Sequence, residues 1–479
     1  MAAPAHCDVL GTPDLVRTIV SFQHGVCEDM LSLLVHARAR RDWFRHAIHR
    51  PVIKHNPLET CGWVDSFLPW YHLAELARRR RLDILFAYDM RLAPMAFCVA
   101  LHCGGVNVVN DIVQSWTATT PTDNATGQDV RQWLAAHAID LASMRGHVDL
   151  LVWLHEASGP LFPDGFAGTT AAMDLAAARG HLSVLEWLHV HRTEGCTTDA
   201  MDTAAAHGHL EVLHWLHVHR TEGCTVRALT DAAALGHLHV VTWLHTHRTE
   251  GCTRDAMDLA AGQGHGHVVE WLHVHRTEGC TTRAMDDAAA RGHVTVLAFL
   301  HAYRTEGCTV RAANMAAYHG HLASLVWLDQ PSHEHVWTSK VLEYAARGGW
   351  LEIVQWLHVH RPEMYAPDAM DFACANGHLD VVQWLHDNRR EGCTTSAMNW
   401  AAQNGHLDVV QWLHTHRSEG CTKMALWKAA FKGRLDMVRW LVENRTEGVL
   451  AEGLRVATTW RRDDVAAYLA CKIVTPVVA

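Results

Sequence analysis

No apolar run in this sequence approaches the length needed to span a bilayer, and Met1 to Leu10 holds neither a basic start nor an apolar stretch. The expectation is a soluble, unsecreted chain of the cell interior, in the cytoplasm or the nucleus, with no membrane partner. Basic residues are not in excess either: 41 Lys and Arg stand against 51 Asp and Glu, a formal net charge of -10 with the 40 histidines neutral. Without a standing basic field to neutralise phosphates, nucleic acid is not expected as a partner. Phosphate loops, nucleophile elbows and paired-carboxylate motifs are missing from the irregular parts of the chain. Charged residues make up only 19%, whereas hydrophobic residues reach 49%, which argues against long disorder and supplies a substantial core. At 479 residues that core cannot be a single one, so the chain is several domains or an open-ended repeat array.

The sequence itself chooses the array. Gly180-His181-Leu182 with Trp187-Leu188-His189 returns at Gly208 and Trp215, Gly236 and Trp243, Gly264 and Trp271, and onward to Gly433 and Trp440. The step is 28 residues (215 − 187), with one step of 29 (356 − 327). Counting Gly146 with Trp153 in front, and a worn copy at Arg461 and Tyr468 behind, twelve copies are recognisable. Leu73 to Tyr88 and Phe97 to Val113 have the same texture and read as two degenerate repeats, with a Thr-rich loop from Ser115 to Gln128 after the second. Within a unit, Ala200 to His207 is short and alanine-rich, Gly208 interrupts, and Leu210, Val212, Leu213 and Leu216 recur at helical spacing. That spacing predicts two helices and a tight turn, the glycine supplying the positive φ that closes the first helix. Acidic residues such as Glu211 and Asp380 then meet the positive end of the second. One greasy face per pair cannot be buried alone, so neighbours must stack.

The run Ala-Ala-x-x-Gly-His-Leu-x-Val-Val/Leu-x-Trp-Leu resembles the ankyrin repeat, particularly the form abundant in proteins of giant DNA viruses of amoebae. The likeness covers Gly146 to Leu469 and, in worn form, Leu73 to Val113. It implies an all-α, ankyrin-like helical-repeat solenoid of about 12–14 short units that binds a protein target in a concave groove, with no cofactor. Two departures stand out. Asp-Ala-Met-Asp (Asp199 to Asp202) replaces the family's Thr-Pro-Leu-His, and the aspartate is expected to accept hydrogen bonds from nearby backbone amides. The unit is also about five residues short of the usual period. The loss falls at His191 to Thr197, where a stubby loop is expected in place of an extended β-hairpin finger.

Leu10, Pro13, Asp14, Leu15, Ile19 and Phe22, then Met30 to Leu34, then Arg40-Arg41-Asp42-Trp43-Phe44, resemble an F-box. That resemblance implies docking to the linker subunit of a cullin-type ubiquitin ligase, with the repeats choosing the target. The expected organisation is an F-box-like helical domain over residues 1–55, degenerate repeats and a loop over 56–135, and the regular array over 136–479. Two other functions stay open: a plain binding scaffold or competitive inhibitor without ligase recruitment, and an enzyme with an unnoticed site.

Recurrence also decides how the chemistry-bearing residues read. Cys196, Cys224, Cys252, Cys280, Cys308, Cys393 and Cys421 form one column, with histidines a few positions earlier. Layers about 10 Å apart hold such a column too widely for tetrahedral zinc or for disulfides, so it reads as small residues half-buried under the loops. The tryptophan column reads as packing between layers, each indole N–H finding a carbonyl or loop group. His181, His209, His237, His265 and His293 read as hydrogen bonders that stabilise the turns. An active site is a unique constellation, whereas these groups are printed many times.

Where the copies differ is more informative. Positions five, two and one before each glycine vary, and from Met315 to Lys432 they collect aromatic and mixed-charge residues. Met315, Tyr318, His319, Tyr344, Arg347, Phe372, Asn376, Trp400, Asn404, Phe431 and Lys432 are the candidate target-binding residues. The alternative is an unconstrained surface. Asp329 to Lys340, with Pro331 and Trp337, breaks the pattern and reads as a hinge or a contact loop.

Overall fold

The computed structural model describes Leu82 and residues 93–119, 125–157 and 162–474. The F-box-like run, with Leu10, Pro13, Asp14, Leu15, Ile19, Phe22 and Trp43, lies outside the described residues, as does Leu73 to Tyr88 apart from helical, buried Leu82.

One repeat shows how the sequence makes the unit. Thr197, in extended backbone, caps the helix Thr198–Ala206 by accepting a hydrogen bond on its side chain from the Asp199 amide at 3.1 Å. Alanines carry the helix to His207, and Gly208, at φ 79°, turns the chain out of it. There the Gly208 and His209 amides donate back to the Ala205 and Ala204 carbonyls at 3.1 and 3.0 Å, closing the orphan acceptors of the last turn. The second helix, Leu210–His219, starts with Glu211 in its first turn and buries Val212, Leu213 and Leu216. It ends at Arg220, whose extended backbone leads into a short loop and the next cap.

The described residues divide into two compact units, one within Met1–Ala232 and His239–Gly251, the other within Ala233–Leu238 and Cys252–Ala479. Each is built from these helix pairs. In both, consecutive first helices lie against one another through alanines with no exposed surface, such as Ala204 and Ala205 in one unit and Ala288 and Ala289 in the other. Such small side chains let helix backbones approach closely, while the second helices fill their wider spacing with Leu, Val and Trp.

The first unit corrects one expectation. The expected loop is shorter at both ends: Ser115 to Thr119 belong to the helix Val106–Thr119, and Ala125 to Gln128 to the helix Ala125–Ser143. Trp116 holds the first of these in place, buried edge-on against Phe97 at 6.4 Å and Phe162 at 6.0 Å. Thr117 and Thr119 give this stretch a loop's composition, but the aromatic contact beside them favours helix. Phe162 and Phe166, from the connection between the helices Val148–Glu156 and Ala171–Ala178, stack on Phe97 at 5.8 Å each.

In the second unit, the irregular segment is packed against its own chain. It contains the 3-10 helix Pro331–Val336, in which His333 and Val336 are buried. His335 Nε2 donates to the Cys308 carbonyl at 3.0 Å. Arg361 holds Asp329 at 2.6 Å and Glu334 at 2.7 Å while lying over the Trp337 ring.

Candidate protein-binding face

Groups that recur from copy to copy tie repeats together. Asp202 is buried, and its carboxylate accepts the Thr225 amide at 2.8 Å and the Thr225 hydroxyl at 2.6 Å, both from the cap of the following repeat. Asp174 holds Thr197, Asp258 holds Thr281, Asp286 holds Thr309 and Asp371 holds Thr394 in the same way. The aspartate thus accepts a backbone amide, as expected, but from the next repeat and together with a hydroxyl. Burial raises the carboxyls of Asp174, Asp286 and Asp371 above their ordinary range even against these hydrogen bonds.

A second tie runs through the loops, which contain no strand among the described residues. Arg220 pairs with Glu222 and reaches back over Gly195 and Cys196, where a β-carbon on the glycine would stand 2.6 Å from Nη2. Burial would lift the Glu222 carboxyl, yet Arg220 and the backbone amides of Glu222 and Cys196 hold it at about 2. Burial pushes the Cys196 thiol up to about 12, and those of Cys224 and Cys252 up to about 11. Thiols held so far from ionising are poor nucleophiles and poor metal ligands.

The tryptophans lie half-buried between layers, as the sequence suggested, but imidazoles are their neighbours. Trp215 stacks on His219 of its own helix at 4.7 Å and receives His189 of the preceding repeat edge-on at 5.4 Å. His219 Nδ1 also donates to the Trp215 carbonyl at 2.9 Å. The post-glycine histidines bond between repeats: His378 Nε2 donates to the Arg347 carbonyl at 3.1 Å. Burial lowers the affinity for a proton of His181, His209, His265, His293, His321 and His406.

The variable positions behave differently, and in the second unit the structure brings them together on the edge of the first helices. Tyr318 meets His319 at 5.1 Å and Tyr344 at 6.0 Å. The Arg347 guanidinium lies 5.8 Å from the Tyr318 ring and 5.8 Å from the Phe372 ring. Phe372 stacks on Trp400 at 5.8 Å. Asn376 and Asn404 edge this row, donating to the carbonyls of Phe372 and Ala375. Met315 is half-buried one layer before Tyr344. Phe431 and Lys432 form a separate group with two residues that sequence reasoning missed: Trp427 stacks on Phe431 at 5.7 Å, and Trp460 meets it edge-on at 4.9 Å. Trp460 precedes Arg461 as Lys432 precedes Gly433, a signal present in the worn last copy.

A family model for three ankyrin repeats matches residues 370–452 and 398–475, and one for ankyrin repeats in many copies matches 173–217, 229–273 and 342–386. The chain is an ankyrin-repeat protein. No curated protein gives a significant match to it. Its fold is the all-α ankyrin solenoid, a protein–protein interaction scaffold, and the recurring Asp, Cys, His and Trp side chains build that scaffold. Among the described residues no group of three or more His, Cys, Asp or Glu is placed to hold a metal, and no helix is long and apolar enough to cross a membrane. The ankyrin face that varies from copy to copy is the candidate for binding a protein.

Proposed function

We propose that this ankyrin-repeat protein is a target-recognition component that holds a protein partner on the strip from Met315 to Lys432. The observation that carries the reading is the continuous row Tyr318, Arg347, Phe372 and Trp400, in which every side chain rests on the next. Aromatic rings and arginine dominate the energetics of protein interfaces, and side chains already packed lose little entropy on binding. Equivalent positions in earlier repeats carry Leu175, Thr203, Asp231, Leu259 and Asp287, none of them aromatic. The test is site-specific photo-crosslinking of the full chain in the cell that makes it. A probe at position 376 should capture a discrete protein whose yield falls with Trp400→Ala and Tyr344→Ala, while a probe at exposed position 186 should not. Crosslinking confined to position 186 would remove the reading.

The finer proposal is that residues 1–55 recruit the linker subunit of a cullin-type ubiquitin ligase, so that the strip selects what is ubiquitinated. The F-box-like spacing of Leu10, Pro13, Asp14, Leu15, Ile19, Phe22 and Trp43 supports it. Work of this kind belongs inside a cell, in the cytoplasm or nucleus, and in the host cytoplasm for a protein of giant-virus type. Purified linker subunit should bind the full chain and lose that binding with Pro13→Ala and Leu15→Ala. No complex with the unaltered chain would leave a plain scaffold or competitive inhibitor.

A further inference from the structure

The second unit changes its electrostatic character at its C-terminal end. Several cations on earlier first helices are neutralised locally: Arg227 by Asp199 and Asp231, Arg283 by Asp255, and Arg311 by Asp287. Residues 428–462 instead hold eight Lys and Arg against four Asp and Glu, in a chain whose formal net charge is -10. Lys428, Lys432, Arg434, Arg461 and Arg462 make no ion pair among the described residues, while Lys423, Arg439 and Arg445 nearby do. Asp463 and Asp464 follow immediately, in the first turn of the helix Asp463–Val474, where they face that helix's own positive end.

The column after the glycine shows how the change is built. His378 and His406 occupy it over Gly349 and Gly377, and then Arg434 and Arg462 occupy it over Gly405 and Gly433. Arg462 keeps the structural duty of the histidine, since its Nε donates to the Phe431 carbonyl at 3.1 Å. A neutral ring would serve that bond, so the permanent charge is surplus to the stacking. The same layers carry Trp427, Phe431 and Trp460, with Lys432 Nζ 5.6 Å from the Phe431 ring and Trp460 54% exposed. An exposed indole set among unneutralised cations suits a ligand that brings apolar side chains and negative charge together.

We propose that this aromatic and cationic cluster receives an acidic segment of the target protein, one in which carboxylates flank large apolar side chains. The apolar side chains lie against Phe431 and Trp460, and the carboxylates meet Lys428, Lys432 and the two arginines. This deepens the target-recognition reading and rests on it, since the cluster adjoins the strip that reading uses. The chain as a whole carries a formal net charge of -10, which favours a short acidic segment over a long nucleic acid.

The test titrates the full chain into a short fluorescein-labelled peptide alternating Glu with Leu and Phe, into the same peptide with Lys in place of Glu, and into labelled single-stranded oligo-dT. The acidic peptide should bind at least about tenfold more tightly than the basic one, and less tightly as salt rises. Lys428→Glu with Lys432→Glu, and separately Trp460→Ala, should each weaken it by about tenfold or more with an unchanged helical circular dichroism spectrum. Lys428→Gln with Lys432→Gln should give a smaller loss of the same sign, and serves if the charge reversal fails to fold. Equal binding of the two peptides, indifference to these variants, or tighter binding of oligo-dT would overturn the proposal. If the peptide fails while crosslinking at position 376 still depends on Trp400, only this inference falls; if that dependence is lost as well, the target-recognition reading falls with it.

Discussion

The imidazole of His378 stands where a β-carbon on Gly349 would go, with Nδ1 at 2.4 Å, and its Nε2 bonds the carbonyl two residues before that glycine. The glycine is therefore required twice, for a φ of 77° and for room. Other side chains reach the same place. Trp350 lies over Gly320 and donates to the Tyr318 carbonyl at 2.8 Å, and Arg462 lies over Gly433. What the position requires is a donor on a long enough stem.

Replacing two glycines separates backbone strain from crowding. At Gly307 (φ 70°) an added β-carbon would meet nothing within 4 Å, so Gly307→Ala should cost about 1–2 kcal/mol, the left-handed backbone alone. Gly377 (φ 82°) faces the His406 ring at 2.4 Å, so Gly377→Ala should cost roughly 1–2 kcal/mol more. Urea unfolding of the two variants measures the difference, and equal costs would show that the ring yields freely.

Asp286→Ala should destabilise by about 2 kcal/mol, because the Thr309 amide and hydroxyl, each at 2.7 Å, lose their acceptor. Asp286→Asn should cost less, since Asn399 in the equivalent place accepts the Thr422 amide at 3.0 Å and donates to its hydroxyl at 3.1 Å. Burial raises the Asp286 carboxyl above 3.8, so the folded chain holds that proton more tightly than the unfolded one. Its contribution is full below 3.8 and declines as pH rises through the raised value. Asn in its place should flatten that decline in unfolding free energy measured across acidic pH.

The histidines carry the opposite sign. Burial, with help from His207, lowers His209 below 6.5, so the unfolded chain takes up the proton first. Stability from this joint is complete above 6.5 and is lost as pH falls through the depressed value. His209→Arg copies the solution seen at Arg462 and should fold, while losing less stability on acidification than the unaltered chain. Thermal melts on either side of pH 6.5 would show it; an unchanged acid sensitivity would place the effect elsewhere.

Of the described cysteines only Cys471 is exposed. At mildly alkaline pH iodoacetamide should modify it well before Cys196, Cys280 or Cys374, whose burial holds the thiol un-ionised. Peptide mapping after timed alkylation gives the order.

The period, the paired helices and the glycine turns were legible because each repeat prints the same local instructions. The partner of Asp202 was not, because Thr225 sits 23 residues on and nothing within one unit points to it. For the same reason the imidazoles around Trp215 went unassigned: one comes from its own helix and one from the repeat before. Ser115 to Thr119 read as loop because threonine content speaks for one, whereas the Trp116 contact that favours helix there comes from distant residues. Tyr318, Arg347, Phe372 and Trp400 lie side by side, as their shared register within the repeat implies. Trp427 falls one residue off that register and Trp460 belongs to a copy without its glycine, so periodicity passed over both.

In the regular array the recurring ties stop at the adjacent repeat: Asp202 finds Thr225 across 23 residues and His378 finds the Arg347 carbonyl across 31. A whole 28-residue block could therefore be spliced in or cut out, and both new ends would still meet the partners they expect. Copy number in such a chain is adjustable by gene duplication, while the binding residues of the remaining blocks keep their places.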